Sequence, residues 1–220
     1  NASSETMGDG ATRTTRRNYF RDLIWYLSHI SSLLVVFLIA AILNLALVGL
    51  TIGAPVIVAK HLGMQSSFVG IIEVAMGLGG LVGSGLVGIW PHRFSFKGIC
   101  RYVAMICFGV VPIIVTLLKS TDEFAFVALA AGSAWVMAWA SITSVEIVSF
   151  VQRSAPKELC GKVLALVYMT LSCATPIGQL VYGLAYDRWT PAIVFAGMLA
   201  VLTLTTALFY RLKSRLWRLS

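Results

Sequence analysis

The apolar sequence runs in long blocks that charge interrupts at regular intervals. No charged residue occurs from Ile30 to Ala59. The block from Leu62 to Trp90 carries one, Glu73, and that from Gly98 to Leu118 carries one, Arg101, near its start. Phe124 to Gln152 carries Glu146 alone, and the blocks Val163–Tyr186 and Trp189–Tyr210 carry none. A helix needs about 20 mostly apolar residues to span a bilayer. The pattern therefore predicts six transmembrane helices, at about 30–59, 66–90, 98–118, 124–151, 163–186 and 189–210, in one bundle over 30–212. Strands of a membrane barrel would be shorter and would alternate apolar with polar, which these blocks do not. Short loops around 60–66, 91–97, 119–123, 153–162 and 187–188 predict that consecutive helices are antiparallel neighbours.

The ends read differently. Residues 1–18, rich in Ser, Thr, Gly and Arg, predict a flexible cytoplasmic linker. Tyr19–His29 sets Phe20, Leu23, Ile24 and Leu27 on one helical face, which predicts a juxtamembrane amphipathic helix over 19–29. Residues 213–220 read as a cytoplasmic tail. The chain opens on Asn1 and shows no signal-peptide pattern, so it reads as processed or cut from something longer.

Composition makes the membrane reading firm. The chain is 58% apolar and 12% charged, with a mean hydropathy of +0.86, against about 45–50% and 25% for soluble domains. Soluble, disordered and collagen-like chains are excluded. The net charge of +8 raises nucleic acid as a partner, but its distribution argues otherwise. Fourteen of the 17 Lys and Arg fall on one side of the predicted topology: the N-terminal tail, the second loop around Arg93, Lys97 and Arg101, the fourth loop with Arg153, Lys157 and Lys162, and the C-terminal tail. Only Lys60, Lys119 and Arg188 fall on the other. This split puts both termini in the cytoplasm, and anionic lipid accounts for the basic charge without nucleic acid. The cysteines Cys100, Cys107, Cys160 and Cys173 lack metal-ligand spacing and read as reduced small hydrophobes.

Charged and polar groups inside spans are the candidate chemistry, because an ionised side chain at mid-bilayer costs about 2.5–3.5 kcal/mol or more. Glu73, Gly77, Gly80, Ser84 and Gly88 form one stripe on the second helix, with a GxxxG pair, Gly79 and Gly83, beside it. Glu73 then faces protein or a cavity, either as a proton or substrate carrier or as a carboxyl bonded across a helix interface. Glu146 shares a face of the fourth helix with Trp135, Trp139, Ile142 and Ser149. It reads either as a cavity-lining acid or as a carboxylate paired with Arg153. Asn44, Gln179 and Tyr182 line a cavity or bond to a neighbouring helix. Pro55, Pro112 and Pro176 each remove one helical hydrogen bond.

Enzyme motifs fail on context. Gly83–Gly88 matches GxGxxG but lies inside a spanning helix, and Gly161-Lys162 lacks the rest of a P-loop. No metal-ligand pattern and no nucleophile elbow is present. The sequence thus predicts no enzyme, no metal and no cofactor.

Four stretches carry a family resemblance: Phe20-Arg21-Asp22-Leu23, Gly70–Ala75 with the glycines to Gly88, Gln152–Glu158 with Gly161-Lys162-Val163, and Pro176-Ile177-Gly178 with Gly183. From about Phe20 to Tyr210 the chain resembles the C-terminal half, helices seven to twelve, of a major facilitator superfamily transporter, in the branch of macrolide-efflux type drug exporters. The loop Gly88–Arg93 is similar to the superfamily's Gly-x-x-x-Asp-Arg, with Arg93 retained and His92 where the acid would stand. The resemblance implies an all-α integral membrane protein, a six-helix half of that fold, in the bacterial inner membrane. It implies a missing N-terminal half as partner, and proton-driven efflux of small organic molecules by alternating access. It sets Asn44, Glu73, Trp139, Glu146 and Gln179 on the cavity or partner-facing helices. A stand-alone six-helix scaffold that dimerises through its Gly-rich helix is the alternative.

Overall fold

A computed structural model describes residues 31–119, 123–155 and 159–216, apart from the side chains at 31–36, 123 and 212–216. The expected linker over 1–18, the amphipathic helix over 19–29 and the last residues of the tail lie outside the described residues.

Six long helices make up most of the described residues. They are α1 (Ser31–Val56), α2 (Ser67–Ile89), α3 (Ile99–Lys119), α4 (Glu123–Ser154), α5 (Cys160–Arg188) and α6 (Pro191–Leu216). Each contains a stretch long and apolar enough to cross a membrane, and the described residues contain no strand. Chain pauses are built locally. Pro55 sits near the end of α1, and a wider turn, Ile57–His61, follows it. Gly63, at φ +63°, then reverses the chain, and the Met64 amide donates to the Val58 carbonyl at 3.0 Å. That bond, reaching six residues back past a left-handed glycine, satisfies a helix end in a turn that a side chain with Cβ would strain. Before α3, Tyr102 cinches the loop: its hydroxyl accepts from the Ser95 amide at 2.9 Å and donates to the Ser95 carbonyl at 3.2 Å. Pro112 and Pro176 lie inside continuous α3 and α5.

Packing overturns the expectation that consecutive helices are neighbours. Only α3 and α4 are consecutive and packed along their length. Otherwise α2 packs on α4, α1 on α5, and α6 on both α3 and α1. A short loop forces antiparallel direction and closeness at one end. It does not choose the partner of a whole helix face, which complementary side chains do. The pairings α1–α5 and α4–α2 exchange when the first three helices are exchanged with the last three, and so do α1–α6 and α4–α3. The pattern of helix pairing is therefore unchanged by exchanging the two three-helix halves.

The two related interfaces are filled differently. Between α2 and α4, Gly79 and Gly83 lie against the backbone carbonyls of Ala134 and Ala138, with no room for a Cβ. Between α1 and α5, Gly49 and Gly53 receive the rings of Tyr182 and Tyr186. The Tyr186 hydroxyl donates to the Gly49 carbonyl at 3.0 Å. Glycine lets backbones meet in the first case and makes room for rings in the second.

Ring contacts show which chain ends lie together. Phe96, ahead of α3, stacks on Phe150 near the end of α4 at 3.8 Å and meets Phe209 of α6 edge-on at 6.4 Å. At the opposite end Phe68 of α2 meets Phe126 of α4 at 5.3 Å, and Lys60 lies 3.4 Å from Asp187.

Candidate functional site

One pocket lies among α1, α4 and α5, with Ile106 of α3 at its edge and a volume of about 200 Å³. Leu43, Asn44 and Leu47 of α1 form one wall, and Thr143, Ser144 and Ile147 of α4 another. Val167 and Leu171 of α5 close it. Asn44 is its polar anchor, donating from Nδ2 to the Leu171 carbonyl at 3.0 Å. The Thr143 hydroxyl donates to the Trp139 carbonyl at 2.7 Å, so its hydrogen is already committed. No charged side chain lines the pocket.

Of the residues singled out from the sequence, Asn44 alone reaches this pocket. Trp139 faces the other way, stacking on Tyr102 of α3 at 5.9 Å. Its neighbour Trp135 donates from Nε1 to the Met105 carbonyl at 2.9 Å. Both indoles join α4 to α3, and neither lines the pocket. Gln179 is exposed on α5, one turn past Pro176.

The two acids within the spans part company. Glu146 is buried, its side chain 4% exposed, with Oε2 4.0 Å from the guanidinium of Arg153. Among the described residues Oε2 accepts no hydrogen bond. This is the paired-carboxylate arrangement, and Glu146 is not among the residues that line the pocket. Glu73 is exposed on α2 and takes part in no ion pair among the described residues.

The small-residue stripe divides as well. Gly79 and Gly83 are buried under α4 and are unavailable to a second copy. Gly77 and Gly88 stand with open space around them, and Ser84 is exposed beside them. Gly80 is half-covered by Ser141. The open face of α2 thus carries Glu73, Gly77, Ser84 and Gly88. In the loop that follows, His92 and Arg93 are exposed, and the Arg93 amide closes a turn onto the Trp90 carbonyl at 3.0 Å. All four cysteines are free.

Thr143, Ser144 and Leu171 were not singled out in the sequence. Two hydroxyl residues in adjacent positions of an apolar helix were the available signal for the first two. Leu171 contributes a backbone oxygen and has none. The four-residue spacing shared by Gly49/Gly53 and Tyr182/Tyr186 was a readable sign of the α1–α5 contact.

Residues 15–219 match the family model described as transmembrane secretion effector. No curated protein and no solved structure matches the chain.

Proposed function

The chain belongs to the transmembrane secretion effector family of the major facilitator superfamily, and on that footing we propose that it is the C-terminal half of a proton-coupled exporter of small organic molecules. The pocket among α1, α4 and α5 then holds substrate, and the open faces of α2 and α5 meet the N-terminal half.

The observation that carries this reading is the distribution of cover. The spans in α2 and α5 are 22% and 17% buried, against 50% for α1. The open face of α2 holds a carboxylate. Lipid against Glu73 would cost about 2.5–3.5 kcal/mol or more, so a protein surface or a water-filled cavity is its fitting neighbour. A second bundle rocking against this one supplies both in turn, which is alternating access.

Glu73 is the coupling residue in this account, since it is free of ion pairs on a face that changes its surroundings. Glu146 is a structural carboxylate held near Arg153. The end that carries Arg93, Lys97 and Arg153 faces the cytoplasm of a bacterial inner membrane, by the charge split. Arg93 lies in that cytoplasmic loop. Energy comes from the proton gradient and no cofactor is needed. The likeness to macrolide-efflux type exporters supports a drug-like substrate.

An immunoblot with an antibody to the C-terminal tail tests the half-transporter reading. A native band at about twice 23.8 kDa is expected. A band at 23.8 kDa contradicts it and favours a six-helix protein complete in itself, working as a scaffold.

A further inference from the structure

We propose that the pocket selects an uncharged, mainly apolar molecule with a single polar group, and that Asn44 reads that group. This rests on the transport reading above and names the substrate class of its pocket.

The wall chemistry makes the selection. Leu43, Leu47, Ile147, Val167 and Leu171 present hydrocarbon, and no acid or base is among the lining residues. Glu146, the one buried acid among the described residues, is not among the lining residues and lies beside Arg153. A cation entering this pocket would lose its water and find no counter-charge, which burial of a charge does not tolerate. An anion would find no cation. An apolar body is favoured by the area it removes from water.

Asn44 adds direction. Its amide carries two donor hydrogens and one acceptor oxygen. One hydrogen is held by the Leu171 carbonyl at 3.0 Å, which fixes the side chain at the pocket wall. The second hydrogen and Oδ1 remain for an occupant. An incoming hydroxyl, carbonyl or N–H finds a partner there. A pure hydrocarbon leaves the amide unsatisfied, which disfavours it. Because the same amide holds the Leu171 carbonyl, five residues before Pro176, an occupant that pulls on Asn44 also pulls on α5.

The test uses cells expressing the native protein and two fluorescent probes. N-phenyl-1-naphthylamine is neutral and apolar, with one N–H. Ethidium is a permanent cation. The wild-type protein is expected to export the first and not the second. Ser144→Leu, a change at an exposed position on the pocket wall, is expected to block export of the neutral dye with normal protein in the membrane. Asn44→Leu is expected to slow it about three- to fivefold, the size of one buried hydrogen bond lost. Asn44→Asp, which brings a carboxylate to the wall, is expected to raise ethidium export relative to the neutral dye. Export of ethidium but not the neutral dye by the wild type overturns the substrate class and leaves transport standing. Export of neither overturns the transport reading and this proposal with it. Wild-type rates of neutral-dye export in Ser144→Leu and Asn44→Leu overturn the assignment of the pocket, and should Asn44→Leu fail to reach the membrane, Ser144→Leu decides.

Discussion

Gly79 lies against the backbone carbonyl of Ala134, and one turn on Gly83 repeats the contact with Ala138. Two backbones meet there without intervening side chains. The α2–α4 seam is therefore the place where the bundle is least able to accept added volume. Gly79→Leu and Gly83→Leu must part the helices, and overpacking of this kind costs about 1–3 kcal/mol or more. Gly77→Leu and Gly88→Leu add volume in open space. Thermal unfolding of the detergent-purified protein is expected to show a larger loss for the first pair than for the second, whose added side chains meet nothing within this bundle. Equal tolerance at all four positions would show that the seam is not closed as described.

The α1–α5 seam is held by rings and one hydrogen bond. Tyr186→Phe removes the bond to the Gly49 carbonyl and keeps the ring. The loss should be about 0.6–1 kcal/mol, the range for one buried bond in a membrane protein. Gly53→Leu drives a side chain into the Tyr186 ring and should cost more. Unfolding midpoints of the two variants give the order, and a larger loss for Tyr186→Phe contradicts the packing account.

Glu146 and Arg153 form an asymmetric pair, with side chains 4% and 72% exposed. Solvent screens the arginine, so Arg153→Gln should cost no more than about 1 kcal/mol. The buried carboxylate then stands alone, and Glu146→Gln in the same chain removes the charge that needed a partner. The double variant is expected to be more stable than Arg153→Gln alone, as read from a double-mutant cycle. Additive losses would mean that the two groups do not interact.

At the opposite end Lys60 and Asp187 stand 3.4 Å apart, each 69% exposed. An ion pair this open contributes little. Asp187→Asn should change the unfolding midpoint within experimental scatter, and a large drop would show that the contact is a buried latch.

What the sequence made legible was the set of helices, because a spanning helix announces itself in one uninterrupted apolar block. Which helix faces which was harder. The Gly79/Gly83 spacing announced a close approach but not its partner, and α4 answers with alanines that look like any others. Short loops suggested sequential neighbours, yet the face of α2 that fits α4 decided the matter. The pocket was the least legible part. Asn44 stood out as a lone amide in an apolar helix, but its partner is a carbonyl 127 residues away with no side-chain signature. Trp139 looked equally functional until its ring was found on Tyr102.

Proton-driven export makes Glu73 the coupling group. Everted membrane vesicles containing the native protein test it most directly, with an inward-acid pH gradient, no ATP, and N-phenyl-1-naphthylamine as the transported probe. Dye accumulation is expected that a protonophore collapses and that Glu73→Gln abolishes while its protein level stays normal. Accumulation that survives the protonophore, or that Glu73→Gln leaves unchanged, would contradict it.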